Sequence, residues 1–240
     1  MDHTANLELL PESGPPRQLM LLLHGVGANA ANLLPLGRVL RAHFPEAAVI
    51  SLQGYEPFDG MPHDGSARQW FSIRGNVEAE RPARVAAVLP RLIGDIRAQQ
   101  RRLGVTNAAT ALVGFSQGTI LSLEAVAAVD GLVGRVLAFS GRYATLPAQA
   151  PQLTTLHFFH GSADPVIPVQ HARSAIEHLA TLAGADATID IASGIGHEID
   201  KALLDSALHR LTHHIPARTW AAALGGVAAA ASPDGSDTLQ

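Results

Sequence analysis

Thr110-Ala111-Leu112-Val113-Gly114-Phe115-Ser116-Gln117-Gly118-Thr119-Ile120-Leu121-Ser122-Leu123 is the stretch that decides the fold of this chain. The short, mainly apolar run Thr110 to Gly114 reads as a buried strand. Beyond it Ile120, Leu121, Leu123 and Val126 recur at helical spacing, so a helix runs from Gln117 to Val129. At the junction stands G-x-S-x-G, Gly114 to Gly118. A sharp strand-to-helix turn strains the backbone of Ser116, and the glycines on either side let neighbouring chain pass close by. The hydroxyl then stands above the sheet edge, where the helix N-terminus aims its N–H groups at developing negative charge. Five loosely specified letters recur by chance, and a glycine-rich turn with an incidental serine is the competing reading. The strand before the motif and the helix after it favour a nucleophile.

Outward from this unit, short apolar runs alternate with amphipathic stretches. Strands are expected at Leu7 to Leu10, Gln18 to Leu23, Ala48 to Leu52, Arg135 to Phe139, Thr155 to Phe159 and Thr188 to Ala192. Helices are expected at Asn29 to Phe44, from near Pro82 to Gly104, and at Pro168 to Leu182 and Glu198 to His214. This alternation predicts an α/β fold, a mostly parallel sheet with helices on both faces and no large cap domain. Pro90, inside the second helix, predicts a kink or a later start. The Gly- and Pro-rich segment Gln53 to Gln69 reads as a long loop. Residues 1–224 read as one domain, with a short helix around Trp220 to Leu224, and 225–240 as a flexible tail.

The chain has 240 residues, 47% of them hydrophobic, and a net charge of −4 with no clustered run of Lys and Arg, so neither nucleic acid nor an anionic membrane is the expected partner. Cysteine is absent, which excludes disulfides, zinc–thiolate sites and a cysteine nucleophile. The first 16 residues lack the basic and apolar regions of a secretory signal, and the densest apolar run nearby, Leu19 to Leu23, is too short to span a bilayer. A cytoplasmic protein without stable membrane insertion is the expectation, and a homodimer is compatible with it.

A serine hydroxyl needs a general base, and the base needs an acid to fix its tautomer. When such a turn sits on a parallel sheet, as in the α/β-hydrolase fold, the chain order is Ser, then Asp or Glu, then His, each beyond a strand. His160-Gly161-Ser162-Ala163-Asp164 offers Asp164 in the loop after one strand, and Gly194-Ile195-Gly196-His197 offers His197 after the next. Of the 12 histidines, His171, His178, His209, His213 and His214 fall in helices and read as surface or helix-end groups. His160 follows its strand directly and reads as a turn-shaping residue. Asp186 and Asp190 lie before and within a strand, and so compete poorly with Asp164, whose own alternative is a turn cap before Pro165.

A tetrahedral intermediate needs two N–H donors. The candidates are the N–H groups of Gln117 and of Val26, the latter in the turn His24-Gly25-Val26-Gly27 after Leu21 to Leu23. His24 itself reads as a structural hydrogen-bonder. Trp70 and Phe71 either wall an acyl pocket or plug the loop against the core.

Taken in order, His24-Gly25-Val26-Gly27, Gln69-Trp70-Phe71, Gly114 to Gly118, Phe139-Ser140-Gly141, His160-Gly161 with Asp164-Pro165-Val166, and Gly196-His197 resemble the phospholipase/carboxylesterase family, which includes acyl-protein thioesterases and small bacterial esterases. The resemblance spans Leu19 to His214 and implies an α/β-hydrolase with Ser116, Asp164 and His197 as triad, Val26 and Gln117 at the oxyanion hole, and no metal or cofactor. It implies a small acyl ester or thioester as substrate. Ala28 stands where eukaryotic thioesterases carry aspartate, and Ser72 where they carry the aspartate of W-F-D. Two other classes compete. A non-catalytic ligand-binding protein on the same fold would leave the serine inert, and a histidine-rich metalloenzyme would be expected to carry an H-E-x-x-H helix, which this chain lacks.

Overall fold

A computed structural model describes residues 5–60 and 66–219; the expected helix at Trp220 to Leu224 and the expected tail lie outside the described residues. The strands are β1 (Leu7–Leu9), β2 (Gln18–Leu23), β3 (Ala47–Leu52), β4 (Glu56–Pro57), β5 (Arg68–Gln69), β6 (Thr110–Phe115), β7 (Arg135–Phe139), β8 (Thr155–Gly161) and β9 (Ala187–Ala192). The helices are α1 (Leu34–His43), α2 (Val77–Leu103), α3 (Gln117–Ala128), α4 (Gln170–Ala180) and α5 (Lys201–His213). Seven strands form one sheet in the order β1-β3-β2-β6-β7-β8-β9. All neighbours run parallel except the short edge strand β1, which pairs antiparallel with β3. This is the α/β-hydrolase architecture.

The two-residue period of the strands sorts their side chains into two cores. Leu19, Leu21, Leu23, Ala48, Ile50, Leu52 and Leu112 face α2, α3 and α4, where they meet Val85, Leu92, Ile96, Leu121, Val126 and Leu179. Met20, Leu22, Ala47, Val49, Ala111 and Val113 face the other way and meet Leu36 and Leu40 of α1 and Leu203 and Ala207 of α5. A strand buried on both faces reads as an unbroken apolar run, which is why Leu19 to Leu23 shows no alternation. Each fully buried leucine there contributes about 1.5–3 kcal/mol.

Helix α2 differs from the expectation. It begins at Val77, not near Pro82, because the Asn76 side chain accepts a hydrogen bond from the Ala79 N–H and Glu78 and Glu80 occupy the positively polarised first turn. Pro90 neither delays the start nor ends the helix. Both Pro82 and Pro90 lie on the exposed face, where water can satisfy the carbonyls they leave without a donor. The helix stops at Gly104, whose φ of 66° is the left-handed conformation that glycine adopts without steric cost. The stretch expected as one long loop also holds a small antiparallel ribbon, β4 with β5, pairing Glu56 with Gln69 and Pro57 with Arg68.

Candidate active site

Strands β2, β6, β7, β8 and β9 end at one edge of the sheet, and their carboxyl ends carry the site. Ser116 follows β6 with φ 54° and ψ −113°, a conformation adverse to any residue with a Cβ. Its N–H donates to the Phe139 carbonyl at 3.0 Å, and its carbonyl accepts from the Ile120 N–H at 3.2 Å. Although Ser116 occupies the N-cap of α3, its hydroxyl makes no capping bond. The glycines of the motif are fixed by space. A Cβ on Gly118 would lie 2.1 Å from the Leu23 carbonyl oxygen, and one on Gly114 would lie 2.6 Å from Thr119 Cα. The strained turn therefore results from α3 crossing directly against the end of β2.

Asp164 lies in the loop after β8 with its side chain wholly buried. Its Oδ1 accepts from the N–H groups of Val166 at 2.8 Å and Ile167 at 2.9 Å. Its Oδ2 lies 2.7 Å from His197 Nδ1. Burial raises the pKa of this carboxyl, but the bonds from His197, Ile167 and Val166 together outweigh it and hold the group below its ordinary value. The carboxylate is thus ionised and fixes Nδ1 as the protonated nitrogen of His197, leaving Nε2 on the opposite edge of the ring free to take a proton.

His197 sits in the loop after β9, its ring 5.0 Å centroid to centroid from that of Phe115, the residue before Ser116. The loops bearing Asp164 and His197 are stitched together. Ala163 N–H donates to the Ile195 carbonyl at 2.9 Å, and Gly194 N–H donates to Ser162 Oγ at 2.8 Å. Gly161 makes this approach sterically feasible, since a Cβ there would lie 2.2 Å from the Ile195 carbonyl oxygen. His160 is the last residue but one of β8 and does not follow the strand as expected. Its Nε2 lies 2.7 Å from the Ile167 carbonyl and 3.3 Å from Asp164 Oδ2. It closes the acid loop and adds a second imidazole edge to the carboxylate, a contact that the sequence offered only as the motif spacing His160 to Asp164.

The turn carrying Val26 is held by β5. Gly27 N–H donates to the Arg68 carbonyl at 2.8 Å, Arg68 N–H returns a bond to the Ala28 carbonyl at 2.8 Å, and Ala28 N–H reaches the Gly25 carbonyl at 3.2 Å. Backbone bonds on either side of Ala28 thus secure the loop at the position where eukaryotic thioesterases carry an aspartate. His24 is buried. Its Nε2 accepts from the Gly54 N–H at 2.9 Å and its Nδ1 donates to the Gly25 carbonyl at 2.8 Å, the tautomer of a neutral imidazole. Burial pushes its pKa down to about 4.

Trp70 is fully buried and Phe71 is 3% exposed, both within the larger core. Both therefore pack into the core, as the plug reading requires. Trp70 in particular has no surface to offer a ligand. Ser72 donates to Asp59 across the base of the loop. The side chain of Gln117 has a task the sequence did not reveal. Its Oε1 accepts from the Trp70 N–H and its Nε2 donates to the Phe71 carbonyl, both at 2.8 Å. Among the described residues no group of His, Cys, Asp and Glu is arranged to hold a metal ion, and no helix is long and apolar enough to cross a membrane.

Residues 5–215 match the family described as Phospholipase/Carboxylesterase. The chain is 46% identical over 212 residues to Esterase YpfH of Escherichia coli (strain K12), covering 88% of this chain and 89% of that one. It is 26% identical over 225 residues to acyl-protein thioesterase 1 of Eremothecium gossypii, covering 87% and 92%. Among solved structures, esterase PE8 superposes with a TM-score of 0.80 at 27% identity, covering 88% of this chain and 99% of the other.

Proposed function

The chain belongs to the phospholipase/carboxylesterase family, and from that premise we propose that it is a carboxylic ester hydrolase working through an acyl-serine intermediate, with Ser116 as nucleophile, His197 as general base and Asp164 as the acid that orients it. The observation that carries this reading is the 2.7 Å bond between Asp164 and His197, joining two loops at the sheet edge where Ser116 holds its strained conformation. In the proposed cycle Ser116 Oγ attacks the acyl carbon while Nε2 of His197 accepts the hydroxyl proton. Asp164 stays ionised and stabilises the imidazolium. The carbonyl oxygen takes the negative charge and is met by the N–H groups of Gln117 and Val26. His197 returns the proton to the departing alcohol or thiol. Water, deprotonated by the same imidazole, then releases the acid and restores the serine.

The proposed substrate class is a small acyl ester or thioester. The exposed apolar Val166, 64% accessible and two residues from Asp164, is suited to meeting an acyl chain at the rim. The test is a fluorophosphonate label on intact protein, located by peptide mapping, together with a hydrolysis profile over nitrophenyl esters and acyl thioesters of graded length. Labelling at Ser116 and a loss of about 10⁶ in kcat on Ser116→Ala are expected. An unlabelled Ser116, or turnover that survives its removal, refutes the reading and leaves a ligand-binding protein on the same fold.

A further inference from the structure

The two proposed oxyanion donors come from distant parts of the chain, Val26 after β2 and Gln117 at the start of α3. A pair of donors is effective only if their separation is held within a few tenths of an ångström, because the oxyanion must meet both at once. One continuous chain of buried hydrogen bonds runs between their two segments. Gln117 grips the Trp70–Phe71 backbone with both ends of its amide, at 2.8 Å each. The indole Nε1–H of that same Trp70 donates to the His24 carbonyl at 2.8 Å. His24 in turn is tied by its ring to the Gly25 carbonyl at 2.8 Å and to the Gly54 N–H at 2.9 Å, and Gly25 precedes Val26. Gln117, Trp70 and His24 are 3%, 0% and 0% exposed. The rings are also packed, Trp70 lying 5.2 Å from His24 and 5.2 Å, edge to face, from Tyr55.

We infer that Gln117, Trp70 and His24 form a brace that sets the distance between the Val26 and Gln117 N–H groups, with the Gln117 side chain and the Trp70 indole acting as positioning residues for the oxyanion hole. The inference depends on the proposed function above. A plug would need only the volume of the indole. It would not need Nε1 aimed at the carbonyl that precedes the Gly25–Val26 turn, nor an amide spanning both a donor and an acceptor of the Trp70–Phe71 segment. Water is excluded from every bond in the chain, so none of them can be replaced by solvent when broken.

Two variants separate positioning from packing. Trp70→Phe keeps an aromatic ring and removes the indole donor, and Gln117→Met keeps the length and removes both amide bonds. Each is expected to lower kcat by about 10- to 100-fold, less than the loss of an oxyanion donor itself, with KM changed less than about twofold. The affinity for a trifluoromethyl ketone, whose carbonyl oxygen becomes an oxyanion when Ser116 adds to it, should fall by the same factor. Tyr55→Phe, which packs on Trp70 but lies outside the chain of bonds, should lower the melting temperature and leave kcat unchanged. Wild-type kcat in the folded variants, a loss expressed in KM alone, or a drop in kcat with ketone affinity intact would each overturn the inference. If neither variant folds, the wild-type protein supplies the test. Of its two tryptophans, the Trp70 indole N–H resonance, assigned with Trp220→Phe, should shift when the ketone adduct forms, and an unmoved resonance overturns the brace. Failure of the parent reading is distinguishable, since wild-type protein would then neither take the fluorophosphonate label nor bind the ketone.

Discussion

Ser116→Gly should abolish turnover and make the protein more stable. Ser116 holds φ 54° and ψ −113°, the mirror image of ordinary extended backbone, where a Cβ collides with its own peptide unit and only glycine rests without strain. A residue held in such a region costs on the order of 1–3 kcal/mol. Glycine removes that cost but brings back about 0.5–1 kcal/mol of backbone entropy in the unfolded chain. The difference spans roughly 0–2.5 kcal/mol and centres near about 1 kcal/mol, which is about 2 to 4 °C in Tm for a chain of this size. Little is lost with the side chain, since the hydroxyl caps nothing. Ser116→Ala is the matched control. It removes the same hydroxyl and keeps the Cβ, so its Tm should stay within about 1 °C of wild type. Calorimetric melts of the three proteins, with ester hydrolysis measured on each, decide the matter. A glycine variant less stable than the alanine variant would refute the claim that Ser116, the proposed nucleophile, sits on stored backbone strain.

Gly118→Ala places a methyl 2.1 Å from the backbone oxygen of Leu23, which cannot give way without moving β2, so it should cost more than about 2 kcal/mol and lower activity as well, both visible in melts and hydrolysis assays. Asp164→Asn keeps the shape of the acid loop but no longer holds His197 with Nδ1 protonated, and kcat should fall by roughly 10³–10⁴ with the fold intact by circular dichroism. Acid should destabilise the protein before any carboxylate of ordinary pKa titrates, because burial keeps His24 neutral with a pKa of about 4 and His157 with one of about 3. In the unfolded chain these histidines take protons near pH 6.5, so their contribution is complete above that pH and is lost as pH falls toward the folded values. Urea unfolding at pH 7.5 and 4.5 should differ by at least about 2 kcal/mol, and equal stabilities would refute the burial argument.

The strands and the elbow were legible in the sequence because their signals are local. Buried parallel strands are short apolar runs, α3 repeats at helical spacing, and the serine motif stands between a strand and a helix. Asp164 and His197 were legible for a similar reason, as each follows such a run. The start of α2 was not legible, since Pro82 resembles an opening residue and the weaker capping signal of Asn76 lies six residues before it. What stayed hidden is polar and long-range. Trp70 and Phe71 read equally well as a wall or a plug, because their exposure is decided by Gln117, 46 or 47 residues away, and no period connects such positions. Yet α3 carried a hint. Its first ten positions, Gln117 to Val126, are buried apart from Glu124. A helix buried nearly all round has no solvent face on which to place an amide. A glutamine in it must find protein partners for its donor and acceptor or leave them unpaired, and a backbone segment is the neighbour that offers both at once. Polar residues inside a helix whose pattern predicts burial on every side are therefore where a long-range bond should first be sought.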